Sequence, residues 1–194
     1  MGITSVSAEL LLRLFGPIAL DVDGSPAATL RSRCADRVLG YLVVQGRPVS
    51  RSLVADTIWP KTSSSESLRQ SISTLRRALG SHAWRLGCNN GTLSFDSAGA
   101  DVDLADFYRL SAGDDLDGMV KALEISRSPL LDGSDEPWVL KARSDVRRRR
   151  QEVAHRAAHA AAAAGRCELA RDLLAQHISM TPALEHGWHD LMAM

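Results

Sequence analysis

The chain has 194 residues, 45% of them hydrophobic and 24% charged, and its 23 Lys and Arg are balanced by 23 Asp and Glu. This is the composition of a globular protein with enough chain to bury one large or two small cores, and it excludes a disordered or fibrous polypeptide. No stretch approaches the ~18 apolar residues of a membrane span. Cys34, Cys88 and Cys167 form neither a CxxC pair nor an even-numbered framework, so a reducing cytoplasm is the expected location. The zero net charge is unevenly spread: residues 1–97 hold 11 Lys and Arg against 7 Asp and Glu, and residues 98–194 hold 12 against 16. A basic half joined to an acidic half fits one part that meets phosphate and another that meets protein.

Taken in chain order, residues 9–30 carry apolar runs broken by Gly16-Pro17 and Asp23-Gly24, which predicts two or three short antiparallel strands joined by turns. Residues 32–45 place Val38, Leu39, Leu42 and Val43 at helical spacing, and Gly46 ends that first helix. Arg47-Pro48-Val49 reads as extended. Ser50 is then an N-cap for a second helix over 51–59, stopped by Pro60, with Trp59 as a core anchor at its end.

The third helix, over 64–79, carries the most information. Ser63 and Glu66 have the spacing of a capping box, and Leu68, Ile72, Leu75 and Leu79 fall on one stripe at a 3.6-residue period before Gly80 stops the helix. At about 100° per residue, Glu66, Gln70, Ser73, Thr74 and Arg77 lie opposite that stripe, with Arg69 and Arg76 on one flank. Gln and Arg pair with base edges in the major groove, Ser and Thr permit close approach, and flanking arginines suit phosphates. In isolation the same pattern also fits a surface helix with solvated charges. The next segment decides between them: Trp84-Arg85-Leu86, a turn at Asn89-Asn90-Gly91, and 92–95 read as a hairpin, so that two helices with a tight connection are followed by a two-stranded wing. The turn at 88–91 has no basic residue, which puts specificity on the helix more than on the wing.

From Asp101 strand signals vanish, and helices are expected near 103–111, 115–127, 136–163, 166–178 and 182–194. A rhythm of about 34 residues per helix pair is that of tetratricopeptide-like repeats. The fold class is therefore an α+β winged helix-turn-helix domain over 1–97 followed by an all-α tetratricopeptide-like domain over 98–194. Trp188, Leu191 and Met192 have no following helix to cover them, which predicts a longer parent protein.

Candidate chemistry follows from these elements. Gln70, Ser73, Thr74 and Arg77 are candidates for base edges or nearby phosphates, and Arg69 and Arg76 for the DNA backbone. Ser50 and Arg51 are placed to hold a phosphate at a helix N-terminus or simply to cap it. Arg85 either touches phosphate or is a cross-strand surface charge. The run 147–150 with Arg143 points all round a helix, so some of it must face acidic neighbours such as those in 114–117. His155 and His159 have the i, i+4 spacing of a metal pair but no HExxH pattern and no evident third ligand, so neither a metal nor a cofactor is expected. No Walker loop, GxGxxG or GxSxG occurs, and no catalytic set can be assembled; the chain does not read as an enzyme.

The words LFGPIALDVDG, RPVSRSLVADTIWP, SLRQSISTLRRALG and WRL, continued by DVDLADFYRL, DEPW at 135–138 and AAAAGRCELARDLLAQH, resemble the Streptomyces antibiotic regulatory protein (SARP) family, whose OmpR-type winged helix precedes a bacterial transcriptional activation domain. The segment 30–37 departs from that family's usual pattern. The resemblance implies a cytoplasmic transcriptional activator that binds promoter direct repeats in double-stranded DNA, contacts RNA polymerase, self-associates on DNA and regulates secondary-metabolite genes. Two other expectations remain open: a protein-interaction scaffold with a repurposed winged helix, and the regulatory piece of a larger ATP-driven switch.

Overall fold

The computed structural model describes residues 10–26, 33–61 and 65–180. The capping residue Ser63 and the expected helix over 182–194 lie outside them. At the start of the described chain, Leu10 and Leu12 are buried while Leu11 and Arg13 are half-buried. That period-2 alternation makes β1 (Leu10–Arg13) a strand with one face on a core. It pairs antiparallel with β2 (Ala19–Val22), which pairs in turn with β3 (Ser25–Pro26) through a turn where Asp23 and Gly24 both take positive φ.

One pairing was not foreseen. β7 (Asp101–Val102) lies parallel to β1, giving a four-stranded sheet in the order β3-β2-β1-β7. Side chains hold this contact across 88 residues of sequence. The Arg13 guanidinium grips the Asp101 carboxylate with two bonds of 2.6 and 2.8 Å. Buried Asp103 accepts the N–H groups of Leu14 at 2.9 Å and Phe15 at 3.0 Å. Backbone donors left at the end of a buried strand need such acceptors, and an ionised acceptor makes the stronger bond.

Between the strands of that sheet the chain forms α1 (Arg33–Gln45), α2 (Arg51–Ile58) and α3 (Ser65–Leu79), each packed on the other two. Val38, Leu39 and Leu42 from α1, Val54 and Ile58 from α2, and Leu68, Leu75 and Leu79 from α3 are essentially fully buried. Each such side chain contributes roughly 1.5–3 kcal/mol on burial. Gly46 and Gly80, both at positive φ, end α1 and α3 where the left-handed conformation excludes most side chains.

The wing has three strands rather than two. β5 (Leu86–Asn89) and β6 (Thr92–Phe95) form the hairpin, with Asn90 and Gly91 at φ 46 and 74 as a two-residue primed turn requires. β4 (Val49–Ser50), read from sequence as merely extended, adds to β6 in the order β4-β6-β5. Trp84 and Arg85 belong to a 3-10 segment, Gly80–Arg85, and not to the first wing strand.

The chain divides into two compact units, 1–103 and 104–194. Strand β7 belongs to the first unit because its partner is β1. The helices beyond are α4 (Asp103–Ala112), α5 (Leu116–Ile125), α6 (Pro137–Ala163) and α7 (Cys167–Met180). Pro137 at the first position of α6 has a preset φ and no donor to lose. The core of this unit is made by Met119 and Leu123 of α5, the alanine stripe Ala154, Ala157, Ala158 and Ala161 of α6, and Leu173 and Leu174 of α7. Alanines at i, i+3, i+4 and i+7 let α7 approach α6 closely while losing no side-chain entropy in the helix.

The arginines of α6 find partners that sequence alone did not assign. Arg143 donates to the carbonyls of Leu130 at 2.7 Å and Leu131 at 2.8 Å. Arg156 donates to the carbonyls of Ser111, at 2.9 Å, and Gly113, and pairs with Asp114 at 3.0 Å. Within the run 147–150, Arg148 pairs with Asp145 and Arg149 with Glu152 on the same helix. The expected acidic neighbours are taken by others, Asp114 by Arg156 and Asp117 by Arg166.

Candidate nucleic-acid interface

Helix α3 carries the two faces that its periodicity implies. Leu68, Ile72, Leu75 and Leu79 are buried, together with the small Ser71. Glu66, Arg69, Gln70, Ser73, Arg76 and Arg77 are exposed, and Thr74 is half-buried. Arg69 forms a 3.0 Å ion pair with Glu66 one turn earlier, with both side chains mostly in solvent. Such a pair contributes well under ~1 kcal/mol, so Arg69 is easily released to a competing phosphate. Arg76 and Arg77 make no ion pair among the described residues. Their place in the last turn also lets them complement the negative end of the helix dipole.

Three contacts fix how the end of α3 and the wing are held. At the end of α3, the Ser81 hydroxyl donates to Asp23 in the β2–β3 turn at 3.2 Å, and buried His82 sits with Nε2 3.5 Å from the same carboxylate. At the wing, the backbone N–H of Arg51 donates to the carbonyl of Gly91 at 2.9 Å. The wing turn is thereby fastened to the N-terminus of α2.

That fastening bears on Ser50 and Arg51. The Ser50 hydroxyl accepts the N–H of Leu53 at 3.3 Å and is a true N-cap. With the Arg51 N–H given to Gly91, two of the donors that could have met a phosphate are already occupied. Ser50 itself remains exposed, and Arg51 is half-buried beside the wing turn.

Arg85 departs from its expected role. Only 6% of it is exposed. Its Nη1 donates to the carbonyls of Asp96 at 3.1 Å and Ala98 at 2.6 Å, and its guanidinium lies 4.5 Å from the Trp84 ring centroid. The physical reason is the 3-10 segment, which rotates Arg85 inward toward the loop that leaves β6 and puts Trp84, 63% exposed, on the outside. Arg85 therefore holds the base of the wing and is not a surface cation. No local pattern announces this, because its acceptors are backbone carbonyls.

Among the described residues no group of three or more His, Cys, Asp and Glu is placed to hold a metal ion, and no helix is long and apolar enough to cross a membrane. Burial pushes the Asp36 carboxyl in α1 up to about 6. Its Oδ1 is buried without a hydrogen-bond partner.

The order of sheet, three helices and hairpin, followed by helices, can be set against known proteins. The fold is shared with EmbR. A structure of Mycobacterium tuberculosis EmbR in complex with a low-affinity phosphopeptide superposes with a TM-score of 0.72 at 22% identity, covering 96% of this chain and 54% of that one. The chain thus spans about half the length of the EmbR chain it matches. No protein-family profile matches the sequence, and no curated protein sequence does. The EmbR likeness extends through both compact units, so the helical half is part of the shared fold and not an unrelated appendage.

Proposed function

We propose that the chain is a sequence-specific DNA-binding transcriptional activator of the SARP type. Helix α3 enters the major groove and reads bases with Gln70, Ser73, Thr74 and Arg77, while Arg69 and Arg76 bind the flanking phosphates. The single observation that carries this reading is the outward face of α3, where polar and cationic side chains stand exposed over a buried stripe of Leu68, Ile72, Leu75 and Leu79. The fold likeness to EmbR supports a transcriptional regulator. Promoter direct repeats as the target, self-association on them, RNA polymerase as the partner of the helical unit, secondary-metabolite genes as the output and the cytoplasm as the location follow from the family resemblance. Ser50 and Arg51 serve in this scheme by setting the wing against α2, through the N-cap at Ser50 and the bond from the Arg51 N–H to Gly91. No catalysis is assigned.

A shift assay on the gene's own promoter tests the assignment. Arg77→Ala and Gln70→Ala should each weaken binding by roughly 1–3 kcal/mol, and removing a phosphate contact should lower the salt slope by about one. Wild-type affinity and slope in both variants would remove α3 from the interface. A second reading is favoured by the turn Asn89-Asn90-Gly91, which offers no charge to DNA: a winged helix that binds protein. That reading requires no salt-dependent DNA affinity in the unaltered chain.

A further inference from the structure

On α6, His155 and His159 bring their Nε2 atoms to 3.1 Å from one another, with ring centroids 4.4 Å apart and planes inclined by 65°. Their i, i+4 spacing alone was no evidence for a metal. The distance supplies what the spacing lacks. Two imidazole nitrogens at ~2.0–2.1 Å from a common metal ion and 3.1 Å from each other subtend an angle of roughly 98° at it, between the octahedral and tetrahedral values. We infer that His155 and His159 form a bidentate site for a borderline divalent cation of the Cu²⁺, Ni²⁺, Zn²⁺ class on the second compact unit, independent of any DNA contact.

Several features fit such a site. His155 is half-buried and His159 exposed, so an ion reaches them directly. Their backbone lies in the C-terminal third of a 27-residue helix, in which the buried neighbours Ala154, Ala157 and Ala158 pack against the core and fix the azimuth of both histidines. Imidazole nitrogen donors suit Cu²⁺, Ni²⁺ and Zn²⁺ and disfavour Mg²⁺ and Ca²⁺. In the metal-free protein the same separation lets one Nε2–H donate to the other ring's Nε2; an ion held by both nitrogens replaces that hydrogen bond, with each ring's proton on Nδ1. Among the described residues no third His, Cys, Asp or Glu joins the pair as a metal group.

Equilibrium dialysis of the full chain against Ni²⁺, Co²⁺, Mn²⁺ and Mg²⁺, with the single variants His155→Gln and His159→Gln, tests the site. The chain also contains His177, His186 and His189, so His186→Gln serves as a control for adventitious binding. The expected result is one Ni²⁺ per chain with affinity falling in the order Ni²⁺, Co²⁺, Mn²⁺, a loss of about tenfold or more in each of the two pair variants, and no change in the control. The Cu²⁺ form should show hyperfine coupling to two nitrogens by paramagnetic resonance, reduced to one in either pair variant. Absence of Ni²⁺ binding, or binding unchanged in either pair variant, overturns the proposal; unchanged circular dichroism of the variants separates lost ligation from lost folding.

Discussion

In the first compact unit the arginines of α3 stand in solvent, two of them in the last helical turn. In the second, Arg143, Arg149 and Arg156 of α6 turn back to donate to the carbonyls of Leu130, Leu131, Ser111 and Gly113. The same residue type thus does opposite work. On α3 it is left exposed to solvent, whereas on α6 it donates to backbone carbonyls at the end of α4 and in the segment that follows α5. In the more arginine-dense segment, 143–156, the fold itself consumes the guanidinium groups of Arg143, Arg149 and Arg156, while Arg147 and Arg148 stay exposed. Charge density along a sequence is therefore a poor guide to a nucleic-acid surface unless the acceptors within reach are known, and Arg85 teaches the same lesson inside the first unit.

The contrast can be broken most decisively at Arg85. Arg85→Ala removes two carbonyl contacts and the stacking on Trp84 from a buried position, and should cost about 3 kcal/mol of stability. Thermal unfolding checks it, and a variant of unchanged melting temperature that binds DNA more weakly would return Arg85 to the surface. Arg143→Ala should destabilise by about 2 kcal/mol, because it strips donors from two loop carbonyls, while leaving DNA affinity untouched; denaturant unfolding beside a shift assay measures both. Arg77→Ala should give the mirror result, a loss of roughly 1–3 kcal/mol in DNA binding with a stability change within about 0.5 kcal/mol.

The smallest effect is expected at Asp36. Burial raises its pKa from 3.8 to about 6, so the proton is bound more tightly in the folded protein than in the unfolded one. Its stabilising contribution is fully present below about pH 4 and is lost as the pH rises through about 6. Asp36→Asn should accordingly raise the melting temperature at pH 7.5 and flatten its decline between pH 4 and 6. A steeper decline in the variant would mean that the carboxylate is stabilised in the ionised form.

Much of the architecture was legible because it is governed by local rules. The ends of α1 at Gly46 and α3 at Gly80, the N-cap Ser50, the Asn-Gly wing turn and the breaks between α4, α5, α6 and α7 all depend on residues within a turn or two of each other. The outward set on α3 was legible for the same reason, since a 3.6-residue period assigns faces without reference to the rest of the molecule. The wing was read less well. Its first strand was placed too early, at Trp84-Arg85, because a Trp-Arg-Leu word resembles a strand, whereas the chain continues from α3 as a 3-10 segment. Its third strand, β4, is only two residues long and is defined by its pairing with β6.

What the sequence determined by itself was the two-faced helix Ser65–Leu79 and its setting between a capped helix and a hairpin. Those features arise from backbone periodicity and capping, which act over a few residues. Only the tertiary structure decided that β7 joins β1, that Asp103 captures the N–H groups of Leu14 and Phe15, that Arg51 is tied to Gly91, and that Arg85 faces inward. Each of these depends on a hydrogen-bond partner that folding brings near from another element. Arginine and aspartate have no preferred local conformation that reveals it, so their roles become fixed only when the distant backbone donors and acceptors arrive.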